Sequence, residues 1–158
     1  MTKGKHLAFI GLGSNIDPEM NLVRALKALR QRTRVLATSS PWRSPAAGAA
    51  GPDFLNVVIK IETELLLEEL KTLVLRPIES HLGRTRTLDK NAPRTIDLDI
   101  LIFDELEIDP DLWETAHIAV PLSEIFPVLV RAKDGLTLEE AALRLKGHVK
   151  KHSMEPTA

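Results

Sequence analysis

The sequence predicts an α+β fold, a ferredoxin-like α/β sandwich with a mainly antiparallel sheet. Three observations carry this. Two helical patterns of apolar residues each lie between runs of strand character, giving two strand–helix–strand units. The runs 54–63 and 95–100 alternate, as strands do when one face meets a core. The chain has 158 residues, 44% of them apolar, which suits one domain with a sizeable core. That domain is assigned to 1–146, and the polar, basic stretch 147–158 to a disordered tail.

The first strand is expected over Leu7–Leu12, turning at Gly13-Ser14-Asn15. Gly11 and Gly13 suggest a dinucleotide loop, but Ile16 stands where its third glycine would be. Asp17 suits an N-cap, Pro18 the first helical position and Glu19 the positive end of the dipole. Leu22, Ala25, Leu26 and Leu29 then form an apolar stripe to about Arg32.

A second strand is expected over Arg34–Ser40, followed by a long loop of turn formers and small residues from Pro41 to Pro52. A loop of this length is either a binding lid or a mobile connection. Phe54–Thr63 follows as a central strand with Leu55, Val57, Ile59 and Ile61 on one face and Phe54, Asn56, Val58 and Lys60 on the other. An aromatic beside an amide can stack a flat heterocycle and read its edge; a lone strand Asn can equally serve hydrogen bonding within the fold.

A second helix is expected from Leu66 to Leu82, closed by Gly83 and kinked or split at Pro77. Glu79, Arg84 and Arg86 gather at its end, as either a solvated terminus or a charged site. A polar loop, 87–92, leads to Arg94 and the strand through Phe103. Beyond it come a turn at Asp104-Glu105, a short returning strand 106–108 and another turn at Asp109-Pro110-Asp111. A single helical turn is expected between Pro121 and Pro127, and a last helix capped by Thr137.

Net charge is −1, so no broad basic surface for nucleic acid is expected, and no apolar run is long enough for a membrane span. The chain lacks cysteine, which excludes disulfides, thiolate zinc sites and thiol catalysis and fits a cytoplasmic location.

The chemistry concentrates in Arg94-Thr95-Ile96-Asp97-Leu98-Asp99-Ile100. Alternation puts Asp97 and Asp99 on one polar face, with Cα atoms about 7 Å apart. Such a pair either holds hard cations, since Mg²⁺ takes carboxylate and phosphate oxygens together, or is the solvated face of an edge strand.

Four phrases resemble the 6-hydroxymethyl-7,8-dihydropterin pyrophosphokinase family of folate biosynthesis, in that family's order and near its spacing. They are Phe9-Ile10-Gly11-Leu12-Gly13-Ser14-Asn15, Pro52-Asp53-Phe54-Leu55-Asn56, Ile78-Glu79 with Leu82-Gly83-Arg84-Thr85-Arg86, and Pro93-Arg94-Thr95-Ile96-Asp97-Leu98-Asp99. The resemblance implies transfer of pyrophosphate from ATP to the pterin's hydroxymethyl group, releasing AMP. It further implies two Mg²⁺ ions on Asp97 and Asp99, with Arg84, Arg86 and Arg94 near the phosphates. Glu79, Ile100, Leu112 and His117 fall on the nucleotide side, and Ser44, Pro45, Ala47, Phe54 and Asn56 at the pterin. Loops around Pro45 and Lys90 would be lids. The expected enzyme is a monomer acting on small molecules, without nucleic acid or membrane partners. The alternative is a pterin- or nucleotide-binding protein with reduced turnover, partnering another folate enzyme.

One segment departs from the family. Thr115-Ala116-His117-Ile118-Ala119-Val120-Pro121-Leu122 runs straight through where members carry a longer loop with an arginine and an aromatic. His117 is either the family's nucleotide-side histidine, a substitute for the missing aromatic, or simply structural. The expectation is that His117 or Trp113 covers the second face of the pterin.

Overall fold

The computed structural model describes residues 4–46, 51–83 and 95–152. Its described strands are β1 (His6–Ser14), β2 (Arg34–Thr38), β3 (Trp42–Ser44), β4 (Phe54–Thr63), β5 (Asp97–Phe103), β6 (Leu106–Glu107) and β7 (Lys150–Lys151). They form one sheet in the order β6-β5-β1-β4-β3-β7, with β2 also paired to β4, and every pairing is antiparallel. The inner order β5-β1-β4-β2 is the ferredoxin-like arrangement expected from the two strand–helix–strand units.

Helix α1 (Pro18–Arg32) buries Leu22, Ala25 and Leu29 completely. Each fully buried leucine contributes about 1.5–3 kcal/mol. Asp17 occupies the N-cap in a left-handed conformation, φ 40°, and makes no side-chain cap bond. Asn21 secures the entry instead, its amide donating to the Ile16 carbonyl at 2.6 Å.

The second helical region divides around Pro77. It comprises α2 (Leu67–Leu70), a π-turn (Lys71–Leu75) and α3 (Arg76–His81). Pro77 has no N–H for the Leu73 carbonyl, and the Arg32 guanidinium donates to that oxygen at 3.3 Å. The expected interruption is present as a wide turn whose orphaned acceptor is served from α1.

α1 and this broken helix cover one sheet face, packing on Ala8, Ile10, Leu12, Leu55, Val57, Ile59, Ile61, Ile96, Leu98 and Ile100. The other face carries α4 (Ala116–Ile125) and α5 (Leu138–Leu145), which bury Phe9, Val58, Leu101, Ile102 and Trp42. A bulge in β5 serves both layers. Phe9 pairs with Ile102 while Ile10 pairs with Ile100, so Leu101 is the extra residue and the alternation reverses after it. Leu101 and Ile102 can therefore both join the second core.

Three expectations need correction. The Pro41–Pro52 segment contains β3, whose three residues are too few to show a periodicity. The single turn expected at Pro121–Pro127 is instead a ten-residue helix starting at Ala116, with Pro121 inside it. Burial of Ala119, Val120, Pro121 and Leu122 outweighs the hydrogen bond that Pro121 cannot donate to the His117 carbonyl. The expected disordered tail does not begin at 147. Lys146–His148 forms a 3-10 turn, Val149 is buried, and Lys150–Lys151 pairs with β3. The last helix is capped as expected, by reciprocal Thr137 and Glu140 hydrogen bonds.

Candidate active site

The α4–α5 layer leaves the N-terminal end of β5 uncovered, and there the sheet register assembles the site. Asp97 pairs with Gly13, Gly13 with Asn56, and Asn56 with Trp42. Cross-strand partners share a face, so Asp97 and Asn56 look into one cleft with only Gly13 between them. At ~4.8 Å per strand their Cα atoms are roughly 10 Å apart. Gly13 keeps that floor open, since a Cβ there would lie 3.4 Å from Asn56 Oδ1 and 3.7 Å from the Phe54 ring.

Asp99 pairs with Gly11 and shares the face of Asp97, as expected. Water reaches its carboxylate from the cleft, yet the surrounding protein removes enough hydration to push its pKa up to about 6; Asp97, Glu79 and Asp109 add repulsion and Arg76 opposes them. A cation would relieve this repulsion. The carboxylate oxygens are hard ligands suited to Mg²⁺, but among the described residues no group of three or more His, Cys, Asp or Glu could enclose a metal. Asp97 and Asp99 fit a metal that takes its remaining ligands from water and substrate phosphate.

The outer edge of β5 is held between these acids. Glu79, 2% exposed, accepts the Leu98 N–H at 2.8 Å through Oε2 and the Arg76 guanidinium at 2.7 Å through Oε1. Arg76 also donates to the Leu98 carbonyl at 3.3 Å. This pair supplies the hydrogen bonds that a neighbouring strand would otherwise provide.

At the other side of the cleft, Asn56 is buried. Its Nδ2 donates to the Trp42 carbonyl at 3.1 Å and the Ser44 hydroxyl at 2.9 Å. The carbonyl can only accept, so this contact sets the amide's orientation and leaves Oδ1 toward Gly13 and the cleft. Phe54 stands half-buried beside it and Pro45 is exposed. Asn15 ties the end of β1 to the approach of β4, donating to the Pro52 carbonyl at 3.2 Å.

His117 lies in the first turn of α4, with its surface open to water but crowded by protein atoms. That crowding lowers its pKa, while the carboxylates of Asp109 and Asp97 pull the other way. Trp113 does not cover the cleft. It is buried in the second core, where its indole donates to Glu107 and Arg131 lies 5.7 Å from the ring centroid. The expectation that Trp113 caps a ring is therefore corrected: its large apolar surface is spent against α4 and α5.

Residues 9–127 match the family described as 7,8-dihydro-6-hydroxymethylpterin-pyrophosphokinase, HPPK. The chain belongs to the HPPK family. It is 40% identical over 139 residues to the 2-amino-4-hydroxy-6-hydroxymethyldihydropteridine pyrophosphokinase of Haemophilus influenzae, covering 78% of this chain and 83% of that protein. The Synechocystis enzyme of the same name is 35% identical over 144 residues, covering 84% and 73%. The chain spans 24% of a folic acid synthesis protein from Dictyostelium discoideum, at 29% identity and 97% coverage of this chain. A solved Plasmodium falciparum HPPK-DHPS chain superposes with a TM-score of 0.76 at 11% identity, covering 94% of this chain and 49% of that one, a likeness of fold.

Of the HPPK site residues expected from the sequence, Asp97, Asp99, Phe54 and Asn56 share the cleft face, with Ser44 bonded to Asn56. Ile100 and Leu112 turn their side chains into the first and second cores respectively, leaving only their main chains for a nucleotide. Ala47, Arg84, Arg86, Arg94 and the loop around Lys90 lie outside the described residues. Sequence reasoning missed Arg76, the floor role of Gly13, and Asp109, which had the look of a turn former. The glycine's spacing was visible, but its partners across the sheet were not.

Proposed function

We infer that this chain catalyses pyrophosphate transfer from ATP to the hydroxymethyl group of 6-hydroxymethyl-7,8-dihydropterin, releasing AMP, in folate biosynthesis. The observation that carries the reading is the row Asp97–Gly13–Asn56, a paired-acid strand and a buried, oriented amide flanking an open glycine floor. Family membership supplies the reaction class.

In this reading the pterin lies over Gly13 against Phe54, near Ser44, Pro45 and Ala47, and presents a hydrogen-bond donor to Asn56 Oδ1. Asp97 and Asp99 hold two Mg²⁺ ions, which supply charge neutralisation and alignment of the phosphates with the attacking hydroxyl. Arg84, Arg86 and Arg94 take the phosphates, where permanently charged planar forks suit them. Glu79 and Arg76 keep the acid strand in place, and His117, Ile100 and Leu112 flank the nucleotide. In the same reading the enzyme works as a monomer in the cytoplasm on these small molecules alone.

The test is an assay with Mg²⁺, ATP and the reduced hydroxymethylpterin. AMP formed in proportion to diphosphorylated pterin supports the reading. ADP, or tight pterin binding without turnover, refutes it.

A further inference from the structure

Helix α4 begins beside the acids and ends against the pterin side of the cleft. Its residue Glu124 is surface-exposed, yet its carboxylate is committed to the bend between β2 and β3. Oε1 accepts the Trp42 indole N–H at 2.7 Å and the Ser40 N–H at 3.1 Å, and Oε2 accepts the Ser40 hydroxyl at 2.9 Å. A long, exposed side chain gains little from one such contact, but three donors converging on one carboxylate define a geometry. Trp42 carries that geometry inward. Its ring packs with Val120, Ala142 and Val149, while its carbonyl accepts from the Asn56 amide at 3.1 Å.

We propose that Glu124 is a positioning residue for substrate recognition, holding the Trp42 main chain where its carbonyl and the Ser44 hydroxyl orient Asn56 with Oδ1 toward the cleft. The proposal rests on the reading of Asn56 as the pterin contact. Asn56 has two nearly isosteric orientations, and its preference comes from an acceptor at Trp42. When the bend relaxes, that acceptor withdraws and the amide can turn its NH₂ toward the cleft. The site then offers a donor where the ligand needs an acceptor. ATP, bound at the acid strand, is not read by this amide. The effect of Glu124 therefore falls on one substrate.

The experiment compares Glu124→Met, Trp42→Phe, their double variant and Asn56→Ala in the full chain. AMP formation is measured with each substrate varied, alongside thermal unfolding. Methionine keeps the length but offers no oxygen to the three donors, and phenylalanine keeps the packing without the indole N–H. The expected result is a pterin KM raised about tenfold in each single variant, ATP KM unchanged, and a double variant no worse than the more severe single. Should Trp42→Phe fail to fold, Glu124→Met and Ser40→Ala carry the comparison. An unmoved pterin KM in the Glu124 variant, with Asn56→Ala still impaired, overturns the positioning role alone. Equal rises in both KM values also overturn it, as merely structural. An unmoved pterin KM in Asn56→Ala removes the reading of Asn56 and the role of Glu124 with it.

Discussion

Replacing Glu79 by leucine should reveal how β5 is held beside Leu98, where none of the described strands pairs with its outer edge. The change removes the acceptor of the buried Leu98 N–H, bonded at 2.8 Å, and the partner of Arg76, bonded at 2.7 Å. An orphaned buried N–H costs about 1–3 kcal/mol. The Arg76 side chain is 37% exposed and can recover water, so the lost ion pair adds at most ~1 kcal/mol. The total is about 3 kcal/mol, or a fall in Tm of roughly 6–12 °C for a domain of this size. Arg76→Met should also destabilise the fold, because it removes one charged partner of a buried carboxylate. The double variant should then resemble Glu79→Leu rather than the sum of the two. Urea unfolding of all four proteins measures the cycle, and activity well below each Tm measures the displacement of Asp97 and Asp99 on either side of Leu98. Additive costs would refute this account of the strand edge.

Asp97→Ala and Asp99→Ala should each nearly abolish AMP formation while far-ultraviolet circular dichroism remains native, because neither side chain belongs to a core cluster. Metal-free protein should lose stability as pH rises. The folded pKa of Asp99 is raised to about 6 from an ordinary 3.8, so its contribution is full below pH ~4 and is lost through pH ~6. Asp99→Asn should flatten that slope, and Mg²⁺ should oppose it in the unsubstituted protein; thermal scans between pH 4 and 8 check both. Gly13→Ala should weaken pterin binding at least tenfold with little loss of ATP binding, since its methyl would stand 3.4 Å from Asn56 Oδ1 and occupy the floor. Titration with a pterin analogue beside a non-hydrolysable ATP analogue tests it, and equal weakening of both ligands would point to a distorted sheet. In the same titration His117→Ala should weaken the ATP analogue more than the pterin analogue, and the reverse order would move the imidazole from the nucleotide to the pterin.

Local chemistry determined much of this protein directly from its sequence. The period-two pattern of β4 gave both its limits, because strand alternation depends on neighbouring residues alone. The same alternation put Asp97 and Asp99 on one face, and the missing N–H of Pro77 marked the break in the second helix. Long-range pairing decided the rest. Gly13 stands between Asp97 and Asn56 because β1 lies between β5 and β4, an order that no local window contains. The β5 bulge, the short strands β3 and β7, and the helix built through Pro121 each override a local signal by burying apolar surface against distant residues. Trp113 shows the same competition at the site: nothing in its neighbours along the chain distinguishes a ring that faces a ligand from one that fills a core. Only the packing of α4 and α5 on the second sheet face sends it inward, because burying its ring there removes more apolar surface from water than the edge of an open cleft could.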